Sequence, residues 1–410
     1  MIARILRGDK RLHCSLADQF FVSGGNFLSI ALCANFLPLE AQGKLGYILA
    51  WYFGSIIINN SVIFQHASVM APSKLDRDQY LGELAWMQIN LAVWVAIIFS
   101  VFVIGLGQIE GFSLTGLEVT LFVVYLVFQQ LADFARRTAY IFQGSMWAAK
   151  LSGLLYSSRI ILLLFLEPDN ISSVLIIFIV TSFFSVINTV SILVRMCDLF
   201  VTSWRFIRLH VTESKWFVRS GPVVWLWSSL PIFLLGGMID AAAIAIFFTI
   251  RSLSNLGNVA MELLETEFSA RLGQYQHHDA QKAKNAVLHI RIAGLMLWGA
   301  GMLLIVAYGD MLVGKIFGAA YEEYSELLTL LWLSNGIVFL YRLNAVHLRT
   351  VGKSEVVMKA YLLGVIMMSL VGIPLIGNYG QLGAVGLVMF GAAMILFGQY
   401  LFSRVTFSSW

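Results

Sequence analysis

The stretch Asp18-Gln-Phe-Phe-Val-Ser-Gly-Gly-Asn26-Phe-Leu-Ser-Ile-Ala-Leu-Cys33-Ala-Asn-Phe-Leu-Pro38 opens polar, turns apolar and stops at a proline. With the residues just before it, it forms a segment, 14–37, that exceeds the roughly 20 residues needed to cross a bilayer core as a helix. Inside such a segment, Asp18, Gln19, Ser23 and Asn26 require a bundle interior or a cavity, while small residues such as Gly24 and Gly25 let a second helix approach closely. Eleven further apolar segments follow, at 45–70, 84–106, 114–135, 151–166, 171–194, 220–237, 241–268, 287–306, 324–346, 356–375 and 383–403. The reading is an all-α, polytopic membrane protein of about twelve transmembrane helices. The longest connection, 195–219, divides it into an N-terminal six-helix lobe, 1–194, a cytoplasmic linker, and a C-terminal six-helix lobe, 220–410.

Composition agrees. Apolar residues make up 59% and charged residues 12%, against about 45–50% and about 25% in soluble domains, and mean hydropathy is +0.80. With both termini placed in the cytoplasm, 21 of the 27 Lys and Arg residues fall in cytoplasmic segments, Lys44 and Lys315 fall in outer ones, and Arg159, Arg251, Arg291 and Arg342 lie within or at the edge of helices. That is the asymmetry expected of short loops under the positive-inside rule. The formal net charge of +4 is spread over membrane-flanking loops, so it does not indicate a nucleic-acid partner. Three cysteines, Cys14, Cys33 and Cys197, provide neither a disulfide framework nor a metal-binding spacing. The basic start is followed by no small-residue cleavage site, which reads as a retained first helix.

The informative residues are polar groups placed where lipid is expected. Arg251 lies deep in Ala241-Ala-Ala-Ile-Ala-Ile-Phe-Phe-Thr-Ile-Arg251-Ser-Leu-Ser-Asn255-Leu-Gly-Asn258, where an arginine costs about 2.5–3.5 kcal/mol on the insertion scale. Asn255 and Asn258 follow at helical spacing on roughly the same side. Two readings stand: a structural arginine bonded to a carbonyl or buried acid, or a cation lining a water-filled cavity that meets a negative substrate. Arg159 poses the same choice in the fifth segment, with snorkelling as the alternative. Asp18 and Asn26 divide between cavity lining and structural hydrogen bonding. His66 belongs to a polar band with Asn59, Asn60 and Gln65 in the second segment, and is either proton-sensitive or a buried hydrogen-bonded side chain. Glu262, with Glu265 and Glu267, pairs with loop bases or joins ion coupling, and Asp133 pairs locally with Arg136 and Arg137. Trp51, Trp86, Trp147, Trp225, Trp227 and Trp298 read as interfacial anchors. An acidic residue followed by alanine precedes a helix in both halves, at Glu40 and Asp240.

No GxxxxGK[ST], HExxH or GxSxG pattern occurs, so neither nucleotide-driven transport nor hydrolysis is indicated, and no cofactor or metal is called for. Several membrane cations with few acids suit an anionic ligand, the more so as water is excluded.

The Asp18–Pro38 stretch with Leu39-Glu-Ala-Gln-Gly-Lys-Leu-Gly-Tyr47 resembles the opening of bacterial polysaccharide exporters of the O-antigen flippase type. These belong to the superfamily of multidrug, oligosaccharidyl-lipid and polysaccharide exporters. Asp240 to Leu256 resembles the matching segment of the second half, with Arg251 where such proteins often carry a basic residue. The resemblance implies two six-helix lobes around a central cavity, and a transporter rather than an enzyme. Its substrate would be undecaprenyl-pyrophosphate-linked oligosaccharide, an O-antigen or related repeat unit, flipped across the inner membrane by alternating access. Arg251 and Arg159, with Asn255, Asn258 and Asn26, would meet the substrate. A proton or sodium gradient would drive it, with His66, Asp18 and Glu262 as coupling candidates. Membrane lipids, a polysaccharide polymerase and a chain-length regulator would be partners. Two alternatives remain: an ion-coupled multidrug exporter of the same fold, and a membrane polysaccharide polymerase. The latter needs a large outer loop, and the longest outer stretches, 105–115 and 307–323, are short.

Overall fold

The computed structural model describes residues 10–65, 67, 77–107, 114–196, 204–213, 215–257 and 280–407. His66, Asn258, Glu262, Glu265, Glu267 and Cys197 lie outside the described residues. All regular structure among the described residues is helical. The helices are α1 Lys10–Phe36, α2 Leu39–Asn59 continuing through a π-turn Asn60–Phe64, α3 Arg77–Gly107 and α4 Gly116–Phe142. Then come α5 Ser145–Leu166, α6 Ile171–Met196, the short α7 Trp204–Glu213, and α8 Lys215–Met238. The rest are α9 Ala241–Gly257, α10 Ala280–Phe317, the one-turn α11 Ala319–Glu322, α12 Ser325–Thr350 and α13 Ser354–Phe407.

Nine of these helices are long and apolar enough to cross a membrane, and the stretches Ile171–Ile187 of α6 and Ala241–Gly257 of α9 add shorter apolar helices. In lipid, a helix satisfies its own backbone, which is why apolar runs of this length fold this way. The last helix counts twice. Gly380, at φ 54° and ψ −127°, sits in backbone space open to glycine. The two halves of α13 lie side by side: a Cβ on Gly364 would come 2.6 Å from Ile395, and one on Gly398 would come 3.1 Å from Ala360. The twelve segments read from the sequence therefore each correspond to a described helix, with ends displaced by several residues where a polar turn extends an apolar run. The connector read over 195–219 holds α7 and the first turn of α8.

The chain divides into two compact units, Met1–Trp225 and Leu226–Trp410. In the first, α4 is central and packs against α2, α3, α5 and α6, while α1 lies along α5. Gly25 permits that last approach, since a Cβ there would come 2.5 Å from Tyr156, whereas Gly24 faces open space. In the second unit, α12 packs against α10 and both halves of α13. Trp298 and Trp332 lock α10 to α12 by exchanging indole hydrogen bonds, each donating to the other's carbonyl at 2.8 and 3.0 Å.

Outward faces are apolar, with Phe165 82% and Leu303 73% exposed, as expected where the solvent is lipid. The tryptophans depart from the anchor reading. Trp51 is buried against Phe99 and Trp225, and Trp225 donates to the Ala50 carbonyl at 3.1 Å. Trp227 packs against Tyr341 and Tyr361. Only Trp86 and Trp147 of that group are among the exposed large side chains.

Candidate functional site

Four arginines, Arg136, Arg137, Arg159 and Arg251, set the electrostatics of the candidate sites. In the first unit Asp133, Arg136 and Arg137 occupy one end of α4, a helix started by a full capping box between Thr115 and Glu118. Asp133 accepts from Arg136 Nη2 at 2.9 Å and from Arg137 Nε at 2.7 Å. Arg136 also reaches across to α1, donating to Asp18 Oδ2 at 2.8 Å. The other Asp18 oxygen accepts from Ser152 Oγ of α5 at 2.5 Å. Arg137 donates to Asn60 Oδ1 at 3.0 Å, inside the π-turn of α2. Two carboxylates thus balance two guanidiniums in a network that ties α1, α2, α4 and α5 together. Burial makes such a pairing obligatory, since either charge alone would be very costly.

Arg159 lies outside that balance. It is 1% exposed and donates through Nη2 to Gln129 Oε1 at 2.6 Å and Ser182 Oγ at 3.3 Å, and through Nε to Thr181 Oγ1 at 3.4 Å. Its guanidinium lies 4.3 Å from the centre of the Phe178 ring and 5.4 Å from that of Tyr156, distances at which ring faces attract a cation. Its contacts are neutral groups of α4, α5 and α6, and no carboxylate is among them. In this conformation Arg159 is sealed from any open surface. Asn26 donates to the Tyr156 hydroxyl at 3.3 Å and is partly exposed.

In the second unit Arg251 is partly exposed and donates through Nη1 to the Ser228 carbonyl at 2.6 Å. It lies 5.6 Å from the Phe247 ring centre. No carboxylate pairs with it among the described residues, and the bond to Ser228 uses one of the five N–H donors that a guanidinium carries. Asn255, one turn further along α9, is exposed. Asp240 closes the start of α9 by accepting from the Ala243 N–H at 2.7 Å, and Glu40 pairs with Lys44 in the first turn of α2. The acidic residues common to both halves therefore serve helix starts, a generic role. Arg291 bonds to Asn344.

Of the residues singled out from the sequence, the structure brings Asp18 together with the Asp133–Arg136–Arg137 cluster and places Arg251 beside Asn255. It keeps Arg159 and Asn26 in the other unit. The Asp18–Arg136 pair and the Gln129–Arg159–Ser182 contact were not visible in the sequence. The only signal was the crowding of Gln129, Gln130, Asp133, Arg136 and Arg137 at one helix end.

The chain shares its fold with known transporters. The lipid II flippase MurJ in an inward closed conformation superposes with a TM-score of 0.76 at 11% identity, over 94% of this chain and 86% of that one. The Vibrio cholerae MATE transporter VcmN gives 0.67 at 15% identity over 98% and 96%. A Pyrococcus furiosus transporter of the MOP superfamily, described as having a binding pocket of reversed polarity, gives 0.68 at 14% identity over 99% and 98%. No family model matches the sequence, and no curated protein sequence matches it. The likeness establishes the fold alone, an all-helical one that this chain shares with those proteins.

Proposed function

We propose that this chain is a flippase for undecaprenyl-pyrophosphate-linked oligosaccharide, moving an O-antigen-type repeat unit across the bacterial inner membrane by alternating access. The carrying observation is Arg251, a partly exposed guanidinium that donates to one carbonyl and has no carboxylate partner among the described residues. In a low-dielectric setting such a group attracts an anion strongly, and a pyrophosphate offers several acceptor oxygens in reach of its free donors. Likeness to a lipid II flippase supports the same class of cargo. No bond is made or broken. Asn255 lies one turn beyond Arg251 on α9, and Asn258 and Asn26 are the further substrate contacts in this reading. Arg159 joins them only if a conformational change opens its present enclosure.

In this reading the segments 1–194 and 220–410 act as the two lobes with 195–219 as the cytoplasmic connector, whose α7 packs on the first of them, and both termini are cytoplasmic. An ion gradient drives the cycle, with His66, Asp18 and Glu262 as the ion-coupling candidates. A polymerase and a chain-length regulator would receive the product. Likeness to MATE transporters supports a second reading, an ion-coupled multidrug exporter. An arginine with no carboxylate partner among the described residues disfavours it for cationic drugs, because like charges repel. The test is a strain lacking its native flippase and supplied with this gene, in which radiolabelled undecaprenyl-pyrophosphate-linked oligosaccharide is followed across the inner membrane. Outward transfer supports the flippase; resistance to cationic compounds without transfer supports the exporter.

A further inference from the structure

Three carboxamides in the first unit have no hydrogen-bond partner among the described residues. Asn59 on α2, Gln88 on α3 and Gln130 on α4 are 1%, 0% and 0% exposed. In each, both the nitrogen and the oxygen are unpaired. An unmet buried polar group costs about 1–3 kcal/mol, so six of them would weigh heavily against the fold if nothing met them.

The three share one layer of the bundle. Ile63, Phe64, Leu84 and Phe134 belong to a single packed cluster, and Phe64 and Phe134 have ring centres 5.7 Å apart. Gln88 and Gln130 each lie four residues, about one helical turn, from Leu84 and Phe134. Asn59 lies the same number of residues before Ile63, across the π-turn Asn60–Phe64. The layer beyond is fixed by Tyr52 against Tyr125 at 5.2 Å and Trp51 against Phe99 at 4.9 Å. Helices α2, α3 and α4 all pack on one another, so Asn59, Gln88 and Gln130 fall between these two aromatic layers. π-turns occur preferentially at functional sites, and this one also carries Asn60, the acceptor for Arg137.

The chemistry of the unmet groups selects the occupant. A cation would satisfy the three oxygens and leave three NH2 groups unmet; an anion would do the reverse. Water both donates and accepts, and buried water typically takes two to four polar partners. We propose that Asn59, Gln88 and Gln130 enclose a cluster of ordered water inside the N-terminal unit. It lies next to Asn60 and so abuts the ion-pair network of Arg137, Asp133, Arg136 and Asp18. The cluster solvates the Asn60 end of that network. This inference does not depend on the identity of the transported substrate.

X-ray hydroxyl-radical footprinting of the full chain in nanodiscs tests it, because radicals form from bound water in place and label adjacent side chains. Phe134, next to the proposed water, is compared with Phe339, an equally buried ring packed against Leu343 and Trp298. The expected result is labelling of Phe134 several-fold faster than Phe339, falling to the Phe339 rate in the triple variant Asn59→Leu, Gln88→Leu, Gln130→Leu. Equal labelling of the two rings in the intact chain overturns the proposal, and this comparison suffices if the triple variant does not fold. Unchanged Phe134 labelling in a folded triple variant overturns it as well. A change in Phe134 labelling when sodium is replaced by choline overturns it in favour of a bound cation.

Discussion

Asp133→Ala should be among the most damaging single substitutions in the first unit. It removes the acceptor of three hydrogen bonds, two from Arg136 and one from Arg137. Arg136 keeps Asp18 and Arg137 keeps Asn60, but two guanidiniums then share one carboxylate. Removing one partner of a buried ion pair costs about 3–5 kcal/mol. In a unit of this size, each kcal/mol moves the melting temperature by about 2–4 °C, so the expected drop is about 6–20 °C. The companion variant Asp133→Ala, Arg137→Met removes one of the stranded charges and should recover part of the loss. The coupling should be about 0.5–3 kcal/mol in the sense of rescue. The assay is thermal unfolding in one detergent at one scan rate, followed by tryptophan fluorescence, since membrane proteins often unfold irreversibly. A drop of under about 2 °C for the single variant would refute the charge-balance reasoning, taking the same size scaling. A double variant that melts below the single one would refute it too.

Gly380→Ala should destabilise by about 1–3 kcal/mol, because its backbone lies where side chains rarely go. Gly299→Ala, at a helical position with open space around its Cβ, should stabilise by up to about 1 kcal/mol, and paired melting curves check both. Gly294→Leu should separate α10 from α12, since even a Cβ there collides with Phe339; a loss of folded yield on size-exclusion chromatography is expected, with Gly299→Leu as the tolerated control. Thr115→Ala removes the α4 capping box and should cost about 0.5–2 kcal/mol, read from the same melting curves.

The spans were legible because lipid makes length and apolarity nearly sufficient for a helix. Their ends were less so: α1 begins at Lys10 and α3 at Arg77, since a helix can continue through a polar turn outside the hydrocarbon. The connector read as a loop contains α7, whose Trp204-Arg-Phe-Ile-Arg-Leu-His-Val-Thr-Glu213 sequence is too short and mixed to register as a span. It is held by tertiary contacts: His210 bonds to the Val62 carbonyl at 3.0 Å, and Phe206 packs on Tyr80. The site was legible as a set of misplaced polar residues but not as partners. Arg136 and Asp18 stand 118 positions apart, and no local periodicity reports such a pairing. Arg159 and Arg251 looked alike in sequence, each an arginine in an apolar run. Their difference, one enclosed by Gln129, Thr181 and Ser182 and one partly open, arises from neighbours on other helices. The tryptophans misled for the same reason, since position near a span's end does not say whether a ring meets lipid or another helix.

The most direct measurement compares outward transfer of undecaprenyl-pyrophosphate-linked oligosaccharide by the intact chain, Arg251→Ala and Arg251→Lys, at equal expression in the flippase-deficient strain. The account predicts transfer by the intact chain, loss in Arg251→Ala, and partial retention in Arg251→Lys, which keeps the charge but not the planar fork of donors. Transfer by Arg251→Ala at the intact rate would contradict it, leaving Arg251 as a tether to the Ser228 carbonyl and nothing more.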